Sequence, residues 1–519
     1  MVFGRFRRRK AASAPPPPDL PLLARARAGP DADAQIAPEG TFTFGALLTS
    51  SAGVARALLA GRADLTEARV AILVPSGFSW TAAVVGVWRA GGMAVPLPVA
   101  APEAELERTL VDAAPEVVIV DPELVDRVAA AAARLGIPVR ATDDVLPPPA
   151  AYDPAGERGL PVVPADRGAL MLYTSGTTGR PKGVVHTHAS LTAQVEMLTQ
   201  AWRWSERDHV LLLLPLHHVH GIVNVVLCAL AAGARCSILP HFDAVETWKR
   251  LAHDRLTVLM AVPTIYTKLI AEYDRTAEAV RDRWRVGAAE LRLCVSGSAA
   301  LPVSVHERWQ AITGQRLLER YGMTEIGMAL SNPLLGARVP GHVGAPLPSV
   351  ETRVVADGGT LAPSGTQGEL QVRGPALFRE YWRRPDETTA AFTDDCWFRT
   401  GDEVVETERG FRILGRQSVD ILKSGGEKIS AIEIEEMLRA HPDLADCAVV
   451  GIPDAEWGER VCAAVVAAPG RALDPAALRA WAAERLSPWK VPREIRVVDA
   501  LPVNALGKVV KPELRRVFE

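Results

Sequence analysis

Short apolar runs alternate with longer amphipathic stretches along most of the chain. Runs rich in β-branched residues that end in turn-forming residues predict buried strands, as in "ARVAILVPSG", "PEVVIVDP", "GALMLYTSG" and "LRLCVSGSA". The stretch "FSWTAAVVGVWRAGG" after the first of these runs predicts a helix. Strands that alternate with helices indicate parallel α/β sheets, in which ligands bind beyond the carboxyl ends of the strands. The polar segments after these runs are therefore the candidate functional site.

The pattern changes twice towards the C-terminus. The segment "GELQVRGPALFREYWRRPDETTAAF" predicts shorter strands and turns. After "FRILGRQSVDILKSGGEKIS" the alternation starts again, with a helix at "AIEIEEMLRAH", a strand at "CAVVGIPD", another helix, and a terminal strand and turn. This second start indicates a separate, compact domain of about 100 residues, a common domain size.

The predicted fold class is therefore α/β, with a large N-terminal domain and a smaller α+β C-terminal domain. The N-terminal domain, residues 19–416, combines α/β sheet subdomains with a β-rich subdomain. The domain boundary is expected at 417–420, and the C-terminal domain at 421–519. Residues 1–18 form a basic, proline-rich tail that precedes the first core-like segment.

Composition narrows the class of protein. A chain of 519 residues exceeds what one hydrophobic core supports, so two or more domains are expected. The net charge of −3 provides no bulk basic field, which argues against nucleic acid as a partner. The longest apolar runs, such as "VLLLLPL", fall far short of the roughly 20 residues that a membrane helix needs, so no membrane span is expected. Nothing in the sequence indicates the oligomeric state.

The N-terminal segment "MVFGRFRRRKAASAPPPP" is basic and contains no acidic residue. It is interpreted either as an organelle transit peptide or as a solvated basic tail. Four consecutive prolines break any amphipathic helix, which favours the solvated tail. We therefore expect a cytoplasmic protein, with the mitochondrial matrix as the alternative.

The segment "YTSGTTGRPKGV" is the most distinctive loop in the chain. Its glycines let the backbone approach a ligand closely, and successive backbone N–H groups can form an anion-binding nest. Its order of glycines and lysine does not match a Walker A loop, which ends in Gly-Lys-Ser/Thr. It therefore predicts a polyphosphate site outside the P-loop NTPase fold. The residues expected to contact the phosphates are Thr174, Ser175, Gly176, Thr177, Thr178, Gly179 and Lys182.

Six further motifs follow this loop along the chain. They are "LPLHHVHG", "SGSAALP", "YGMTE", "FRTGD", "GRQSVDILKSGGEKIS" and "NALGK". With the loop, this ordered set resembles the adenylate-forming superfamily, which includes acyl-CoA synthetases, firefly luciferase and nonribosomal adenylation domains. The resemblance extends from about residue 19 to the end. The flanking segments "VSGSAALPVSVHERW" and "AVPTIYTKL" are most similar to malonyl-CoA synthetases of the acyl-CoA synthetase family member 3 type.

The resemblance implies a reaction in two halves, between which a mobile C-terminal domain rotates about a hinge at 417–420. A carboxylate attacks the α-phosphorus of ATP to give an acyl-adenylate and pyrophosphate, and the thiol of coenzyme A then displaces AMP. Lys508 in "NALGK" resembles the family's catalytic lysine, which would bridge the attacking carboxylate and the α-phosphate. Glu325 would bind Mg²⁺, a hard cation that prefers carboxylate oxygens, and Thr324 would contact the α-phosphate.

The resemblance also implies a nucleotide site. Tyr321 would face the adenine ring, Asp402 would accept hydrogen bonds from the ribose hydroxyls, and Arg416 would reach the ribose or a phosphate. The full set expected to bind ATP or AMP adds the following residues to the phosphate loop: Gly297, Ser298, Tyr321, Gly322, Asp402 and Arg416.

A malonate pocket has a further requirement. The second carboxylate of malonate does not react, and burying it without a partner costs several kcal/mol. We expect Lys268, after "VPTIYT", to pair with this carboxylate with help from a histidine; Arg292 is a further candidate cation. The expected acyl pocket consists of His218, His220, Lys268, Ser298 and Met323, and the expected coenzyme A channel of Lys423, Gly425 and Gly426.

The function expected from the resemblance is an ATP-dependent malonate–CoA ligase that also accepts methylmalonate and uses Mg²⁺, ATP and coenzyme A. Small molecules are its only expected partners. One alternative is a CoA ligase for another short- or medium-chain acid, and a second is a stand-alone adenylation enzyme that loads a carrier protein. A third, a nucleotide-binding protein without activity, is disfavoured by the presence of Lys508, Glu325 and Asp402 together.

Overall fold

The computed structural model describes residues 20–518 except 175–180, 425–426, 455–456 and 504–507, and describes 427–428 by their backbone alone. Four β-sheets and their covering helices make up this part of the chain. The predicted α/β class, with a large N-terminal part and a smaller C-terminal part, is confirmed.

The N-terminal part contains three of the sheets. Its strands, in chain order, are β1 (Asp33–Ala37), β2 (Gly40–Thr43), β3 (Arg69–Leu73), β4 (Met93–Pro96), β5 (Val117–Val120), β6 (Val139–Ala141), β7 (Gly168–Thr174), β8 (Lys182–Thr187), β9 (His209–Leu212), β10 (Arg235–Ile238), β11 (Val258–Ala261), β12 (Leu293–Ser296), β13 (Leu318–Met323), β14 (Gly327–Ser331), β15 (Ala345–Pro346), β16 (Glu351–Val355), β17 (Gln367–Arg373), β18 (Glu380–Tyr381), β19 (Phe398–Thr407) and β20 (Gly410–Arg416).

Helices connect and cover these strands. The α-helices are α1 (Ala24–Ala28), α2 (Phe44–Leu59), α3 (Phe78–Arg89), α4 (Glu103–Ala113), α5 (Asp126–Leu135), α6 (Thr142–Val145), α7 (His188–Trp202), α8 (Cys228–Ala232), α9 (Ala244–His253), α10 (Pro263–Arg275), α11 (Glu278–Ala289), α12 (Val303–Thr313) and α13 (Pro385–Ala390). A π-helix, His220–Leu227, runs directly into α8. None of the described helices is long and apolar enough to span a bilayer.

Two of the sheets have parallel centres, as the alternation of strands and helices predicts. The first sheet has the strand order β15-β14-β13-β12-β11-β9-β10-β1-β2, and the second has the order β18-β8-β7-β4-β3-β5-β6. Strands β9 to β13 pair in parallel in the first sheet, and β3 to β7 do so in the second. Antiparallel strands lie at edges of both sheets.

One apolar cluster joins these two sheets through the helices between them. It includes Leu48 of α2, Val84 of α3 and Leu191 of α7, all of which are buried. Ile72 of β3 and Leu259 of β11 contribute to the same cluster from the two sheets. Burying one such side chain stabilises the fold by about 1.5–3 kcal/mol. The cluster therefore holds the two sheets, and the segments at the ends of their strands, in a fixed relation.

The third sheet is antiparallel, in the order β16-β17-β19-β20, and forms the predicted β-rich part. Its last two strands place Asp402 directly opposite Arg416. Helix α13 lies within the segment expected to contain only strands and turns, which differs from the prediction. Proline at its first position suits a helix start, because that residue needs no intrahelical N–H donor.

The fourth sheet forms the C-terminal part. Its elements are β21 (Ile421–Ser424), β22 (Glu427–Ser430), α14 (Ala431–Arg439), β23 (Leu444–Asp454), β24 (Gly458–Ala467), α15 (Pro475–Ala483), β25 (Glu494–Val497) and α16 (Lys511–Arg515). The sequence pattern did not predict β24 or α16. Strand β24 pairs along its length with β23, but its alanines have little intrinsic preference for strands, which hides it in the sequence.

The topology brings several polar segments together. Strands β11, β12 and β13 are parallel neighbours, so the residues that follow β12 lie beside the end of β13. Strand β20 of the third sheet ends at Arg416, and β21 of the fourth sheet begins at Ile421. The four residues between them link the N-terminal and C-terminal parts of the chain.

Candidate active site

Tyr321, Asp402 and Arg416 form one hydrogen-bonded group. Tyr321, near the end of β13, donates its hydroxyl to Asp402 Oδ2. Arg416 Nε donates to Asp402 Oδ1 over 2.9 Å, and its Nη2 donates to the Thr400 carbonyl over 3.1 Å. Burial lowers the pKa of Arg416, but the Asp402 carboxylate outweighs this effect and the net pKa is raised. The three predicted nucleotide-site residues therefore lie together.

Lys182 and Glu325 are joined through Tyr381, which the sequence analysis did not single out. The Tyr381 hydroxyl donates to Glu325 Oε1 over 3.0 Å, and Lys182 Nζ lies 5.1 Å from the centre of the Tyr381 ring. Lys182 also pairs with Glu387 of α13 at 2.5 Å. The only sequence signal for Tyr381 is that it is an aromatic residue in "REYWRRP", the segment that contains the short edge strand β18. Nothing in this segment indicates that Tyr381 contacts Glu325 or Lys182.

Glu325 is the one residue expected to hold a metal, and its surroundings fit Mg²⁺. It is buried, and burial raises the pKa of its carboxyl group. Among the described residues there is no cluster of three or more His, Cys, Asp or Glu side chains that could hold a metal alone. Mg²⁺ is usually held by one or two carboxylates together with substrate phosphates and waters, so a single carboxylate is a suitable donor set.

We expect Glu325→Gln to weaken the use of Mg²⁺ and ATP at least tenfold, because a hard cation loses a charged oxygen ligand. The measurement is the rate of pyrophosphate release as a function of Mg²⁺ concentration at fixed ATP. Tyr381→Phe is the matched control, since it removes the hydrogen bond to Glu325 but keeps the carboxylate. If Glu325→Gln matched the parent at every Mg²⁺ concentration, Glu325 would have a structural role only.

Thr324 lies next to Glu325 and is held through its backbone. The carbonyl of Thr324 is 2.7 Å from Nε2 of His186 in β8, whose Nδ1 lies 3.1 Å from Ser190 Oγ. Burial lowers the pKa of His186 to about 4, so the ring is neutral at neutral pH and Nε2–H donates to the carbonyl. His186 was not predicted from the sequence; it joins the second sheet to the end of β13.

Lys508 of the C-terminal part lies close to residues of the N-terminal part. Its side chain keeps exposed surface. Partial loss of water around the ammonium group, together with the positive charges of Arg320 and Arg416, lowers its pKa, while Asp402 acts in the opposite direction. The charge of Lys508 in turn contributes to a lowered pKa at His218. Lys508 therefore lies near both the Tyr321–Asp402–Arg416 group and the histidine motif.

A buried cation also lies near Lys508. Arg320 of β13 is 3% exposed and forms no ion pair with any described residue. Its Nη2 donates to Ser298 Oγ over 3.2 Å, and Ser298 Oγ lies 3.3 Å from His220 Nδ1. Arg320 Nε and His220 Nε2 are buried without a hydrogen-bond partner. Burial lowers the pKa of Arg320 to about 9, so the group stays charged at neutral pH. We name Arg320, Ser298 and His220 the Arg320 cluster.

The backbone after β12 is shaped around this cluster. A Cβ atom at Gly297 would lie 2.6 Å from Arg320 Cζ, so the absence of a side chain at this position lets the guanidinium lie against the main chain. Ser298 has φ of 70°, an uncommon value for a residue other than glycine. Backbone conformations of this kind concentrate at functional sites. Gly297 and Ser298 thus contact Arg320, a cation that the sequence motifs did not predict.

The structure corrects the expected role of Lys268. This side chain is exposed on α10, and its Nζ lies 5.9 Å from the centre of the Phe242 ring. Arg292 is also not a free cation, because two of its nitrogens contact the carboxylate of Asp208 at 2.6 and 2.7 Å. Neither Lys268 nor Arg292 is therefore a buried cation without a partner. The buried cation of the site is Arg320, which the sequence analysis missed.

The remaining predicted residues divide into described and undescribed ones. Met323 places its sulfur 3.8 Å from Arg416 Nη2. Gly322 packs so tightly that a Cβ would lie 2.1 Å from the Gly327 carbonyl oxygen. Lys423 is exposed on β21, and Thr174 ends β7. Ser175, Gly176, Thr177, Thr178, Gly179, Gly425 and Gly426 lie outside the described residues.

His218 and His220 differ in their surroundings. His218 is partly exposed near Lys508, and burial, with His217 and Lys508 as further causes, lowers its pKa to about 3. His220 begins the π-helix and is buried; burial, Arg320 and His218 together hold its pKa well below the usual value. Both rings are therefore neutral at neutral pH and can act as hydrogen-bond donors or acceptors without adding charge.

Taken together, three cationic groups surround one small region. Lys508, Arg320 and Arg416 converge there, whereas Asp402 is the carboxylate that pairs directly with Arg416. A region with this balance of charge favours a ligand that carries several negative charges. One part is lined by Tyr321 and Asp402, and the other by the Arg320 cluster, with Lys508 near both.

Comparison with known proteins places this geometry in a family. A family model described as AMP-binding enzyme matches residues 22–382, and one described as AMP-binding enzyme C-terminal domain matches residues 433–508. The mouse (Mus musculus) protein named malonate–CoA ligase ACSF3, mitochondrial, is 45% identical over 530 residues, which cover 95% of this chain and 90% of the mouse protein.

Solved structures give the same result. The crystal structure of ATP-bound MatB from Rhodopseudomonas palustris has a TM-score of 0.86 at 34% identity and covers 96% of this chain and 99% of its own. The structure of a malonyl-CoA ligase in a ternary product complex with methylmalonyl-CoA and AMP has a TM-score of 0.67 at 38% identity. It covers 93% of this chain and 100% of its own. On the family models, the identity and the fold, this chain belongs to the AMP-binding enzyme family.

Proposed function

We propose that this chain is an ATP-dependent malonate–CoA ligase. It activates malonate as malonyl-AMP with release of pyrophosphate, and then transfers the malonyl group to coenzyme A with release of AMP. Methylmalonate, which differs by one methyl group, is a further substrate. The observation that carries the choice of acid is the buried Arg320 guanidinium, which has no carboxylate partner among the described residues. The similarity to proteins named malonate–CoA ligase supports this choice.

A dicarboxylate suits the Arg320 cluster better than a fatty acid does. A buried cation without a counter-charge is unfavourable, and an incoming carboxylate removes this cost. Arg320 Nε and His220 Nε2, which lack partners in the described structure, are available to the two oxygens of that carboxylate. A monocarboxylate with an apolar tail would instead leave these polar atoms unpaired. The cluster therefore selects an acid with a second negative group.

The first half-reaction brings two anions together. At 4 Å and an effective dielectric constant near 20, a pair of like charges costs about 4 kcal/mol. Lys508 lies near both the Arg320 cluster and the Asp402–Arg416 pair, where it can contact both the reacting carboxylate and the α-phosphate. Holding the distal carboxylate on Arg320 directs the other carboxylate of malonate towards Lys508. Positioning and charge compensation of this kind supply most of the catalysis in phosphoryl and nucleotidyl transfer.

The nucleotide is held by the other residues of the site. Tyr321 faces the adenine ring, Asp402 accepts from the ribose hydroxyls, and Arg416 contacts the ribose or a phosphate. Glu325 binds Mg²⁺, whose chemistry is to neutralise phosphate charge, and Lys182 contacts the β- and γ-phosphates. Lys182 also pairs with Glu387 of α13, which holds its ammonium group beside the Tyr381 ring.

The second half-reaction requires a different approach to the site. The C-terminal domain, residues 421–519, rotates about residues 417–420 and withdraws Lys508. Lys423, which is exposed on β21, then turns towards the acyl-adenylate together with the segment after it. The thiol of coenzyme A attacks the acyl carbon, the bond to AMP breaks, and AMP leaves with the electron pair.

The experiment that tests this proposal is pyrophosphate release measured over a panel of acids, with and without coenzyme A. Malonate and methylmalonate should be the best substrates, and malonyl-CoA and AMP should form when coenzyme A is present. A preference for butyrate would indicate the alternative ligase for another short- or medium-chain acid. Pyrophosphate release without any transfer to coenzyme A would indicate an adenylation enzyme that loads a carrier protein.

The compartment is a separate proposal. The sequence favours the cytoplasm, with the mitochondrial matrix as the alternative. The mouse relative carries the word mitochondrial in its name, which supports the alternative for this chain. The basic segment 1–18, which lies outside the described residues, is the part of the chain to fuse to a fluorescent protein in order to decide between the two.

A further inference from the structure

Lys511 forms a buried ionic cluster at the start of α16. Its Nζ lies 3.0 Å from Glu435 Oε1 and 3.0 Å from Asp420 Oδ1, and it donates to the Val449 carbonyl over 2.7 Å. Lys511 is 8% exposed. Burial opposes its charge, but Glu435 and Asp420 outweigh that effect and raise its pKa. All three hydrogen-bond donors of the ammonium group are thus used within the described structure.

Glu435 fixes this cluster to the core of the C-terminal part. It lies on α14, and its Oε1 also accepts from the backbone N–H of Val449 over 2.8 Å. Val449 belongs to β23, which pairs along its length with β24, the central strand of the fourth sheet. Lys511 is therefore anchored on one side to a helix and a strand that do not belong to the interdomain link.

Asp420 connects the same cluster to the link between the two parts of the chain. Its Oδ1 contacts Lys511, whereas its Oδ2 accepts from the backbone N–H of Arg416 over 3.1 Å. Its carbonyl accepts from the N–H of Ala431, the first residue of α14, over 2.8 Å. At the other end of the link, Gln417 is bonded to the Gly401 carbonyl over 2.9 Å and to Glu403 over 2.5 Å. Asp420 thus belongs structurally to the C-terminal part.

A continuous path of contacts follows from these observations. Asp402 pairs with Arg416, the Arg416 backbone contacts Asp420, and Asp420 pairs with Lys511. Lys511 is three residues after Lys508, and three residues span at most about 11 Å. The position of the Lys511 ammonium group therefore restricts where Lys508 can lie relative to Asp402.

We propose that Lys511 is a positioning residue for adenylate formation: it holds Asp420 against Glu435, and so sets the position of Lys508 in the site. It contacts neither the nucleotide-site group nor the Arg320 cluster, and it acts through Lys508. This inference rests on the proposed function, because it assigns to Lys508 the role of bridging the carboxylate and the α-phosphate.

The main variant is Lys511→Met, which keeps the length and apolar stem of the side chain but removes its charge. Adenylate formation, followed as malonate-dependent pyrophosphate release, should fall about 30-fold, mainly in kcat rather than in KM for ATP. Thioester formation from supplied malonyl-AMP and coenzyme A should change less than about threefold. Lys511→Arg keeps the positive charge and should recover most of the adenylation rate.

Lys490→Met is the matched control. Lys490 pairs with Glu433 of the same helix α14, with Nζ 2.7 Å from both carboxylate oxygens, but no contact joins it to Asp420. It should leave both half-reactions within about twofold of the parent. An effect of Lys490→Met as large as that of Lys511→Met would show that any ion pair on this helix matters only for stability, and would overturn the proposal.

A double substitution distinguishes positioning from a separate role. If Lys511 acts through Lys508, Lys511→Met should have no further effect on the residual adenylation rate of a Lys508→Ala variant. Additive losses would overturn the proposal, as would equal losses of Lys511→Met in both half-reactions. A parent protein that does not activate malonate would contradict the proposed function itself, and the same comparison would then be made with the acid that it does activate.

Discussion

Replacing Lys508 by alanine is expected to lower the rate of malonyl-AMP formation by about 1,000-fold. The electrostatic cost of bringing the malonate carboxylate against the α-phosphate is about 4 kcal/mol, and each 1.36 kcal/mol corresponds to a tenfold change in rate. Lys508 is the cation near both the Arg320 cluster and the Asp402–Arg416 pair, so its removal leaves this cost uncompensated. The measurement is pre-steady-state pyrophosphate release with malonate and Mg²⁺·ATP at saturation.

The second half-reaction provides the internal control for Lys508→Ala. Thioester formation from supplied malonyl-AMP and coenzyme A joins a thiol to an already activated acyl group, and no carboxylate meets a phosphate in that step. Its rate should therefore stay within a few-fold of the parent. Equal losses in both half-reactions would contradict the proposed division of roles and would indicate that the substitution disturbs the site as a whole.

Replacing Arg320 by methionine is expected to lower kcat/KM for malonate by at least about 100-fold, which corresponds to roughly 3 kcal/mol for a buried charge left without its partner. Activity with butyrate, which has no second carboxylate, should fall less or should rise. The cause is the buried guanidinium, which forms no ion pair with any described residue and contacts Ser298 instead. The measurement is kcat/KM for both acids on the parent and the variant, and the ratio of the two values is decisive.

Two further variants separate charge from folding at this position. Arg320→Lys keeps a positive charge and should retain part of the preference for malonate even if its rate falls. Lys268→Met, at the exposed position first expected from the sequence, should leave the ratio unchanged. An unchanged ratio in Arg320→Met would contradict the assignment of Arg320, and a parent that prefers butyrate would contradict malonate as the substrate.

The parts of the site that could be predicted from the sequence are the motifs in which the residue types and their order determine the chemistry. The runs before "SGSAALP" and "YTSG" are strands, and parallel strands place their carboxyl ends together without any further information. Asp402 and Arg416 could each be chosen from their motifs. That they lie opposite each other follows from the register of β19 and β20, which cannot be obtained from either motif alone.

The acyl pocket was harder to predict for a physical reason. Lys268 follows the buried positions Ile265 and Tyr266 of α10, but the rotation of the helix turns it to the exposed side. Arg320 lies inside a strand that is buried on both faces, where a charged residue is unexpected. The informative signal was this conflict between residue type and position: a charge in a buried strand directly before a nucleotide motif indicates a ligand that neutralises it.

The segment after β23 shows a different limit. Strand β24 contains three alanines among ten residues, which have little intrinsic preference for strands, and it is held in the sheet by pairing with β23 on one side and β25 on the other. Lys511, likewise, lies three residues beyond a recognised motif, and its sequence neighbours give no indication of Asp420 or Glu435. Contacts between distant parts of the chain are decided by packing, and a single sequence does not encode them in a local pattern.

The close contact between Gly297 and Arg320 has a consequence for how this pocket can change during evolution. With only 2.6 Å between Arg320 Cζ and a Cβ built at position 297, any side chain there requires the guanidinium to move. Replacing Gly297 while Arg320 is present therefore displaces the guanidinium, so the effect of one substitution depends on whether the other has already occurred. A lineage that moves from a dicarboxylate to an apolar acid avoids this displacement when it loses the charge first and then fills the space that the guanidinium occupied.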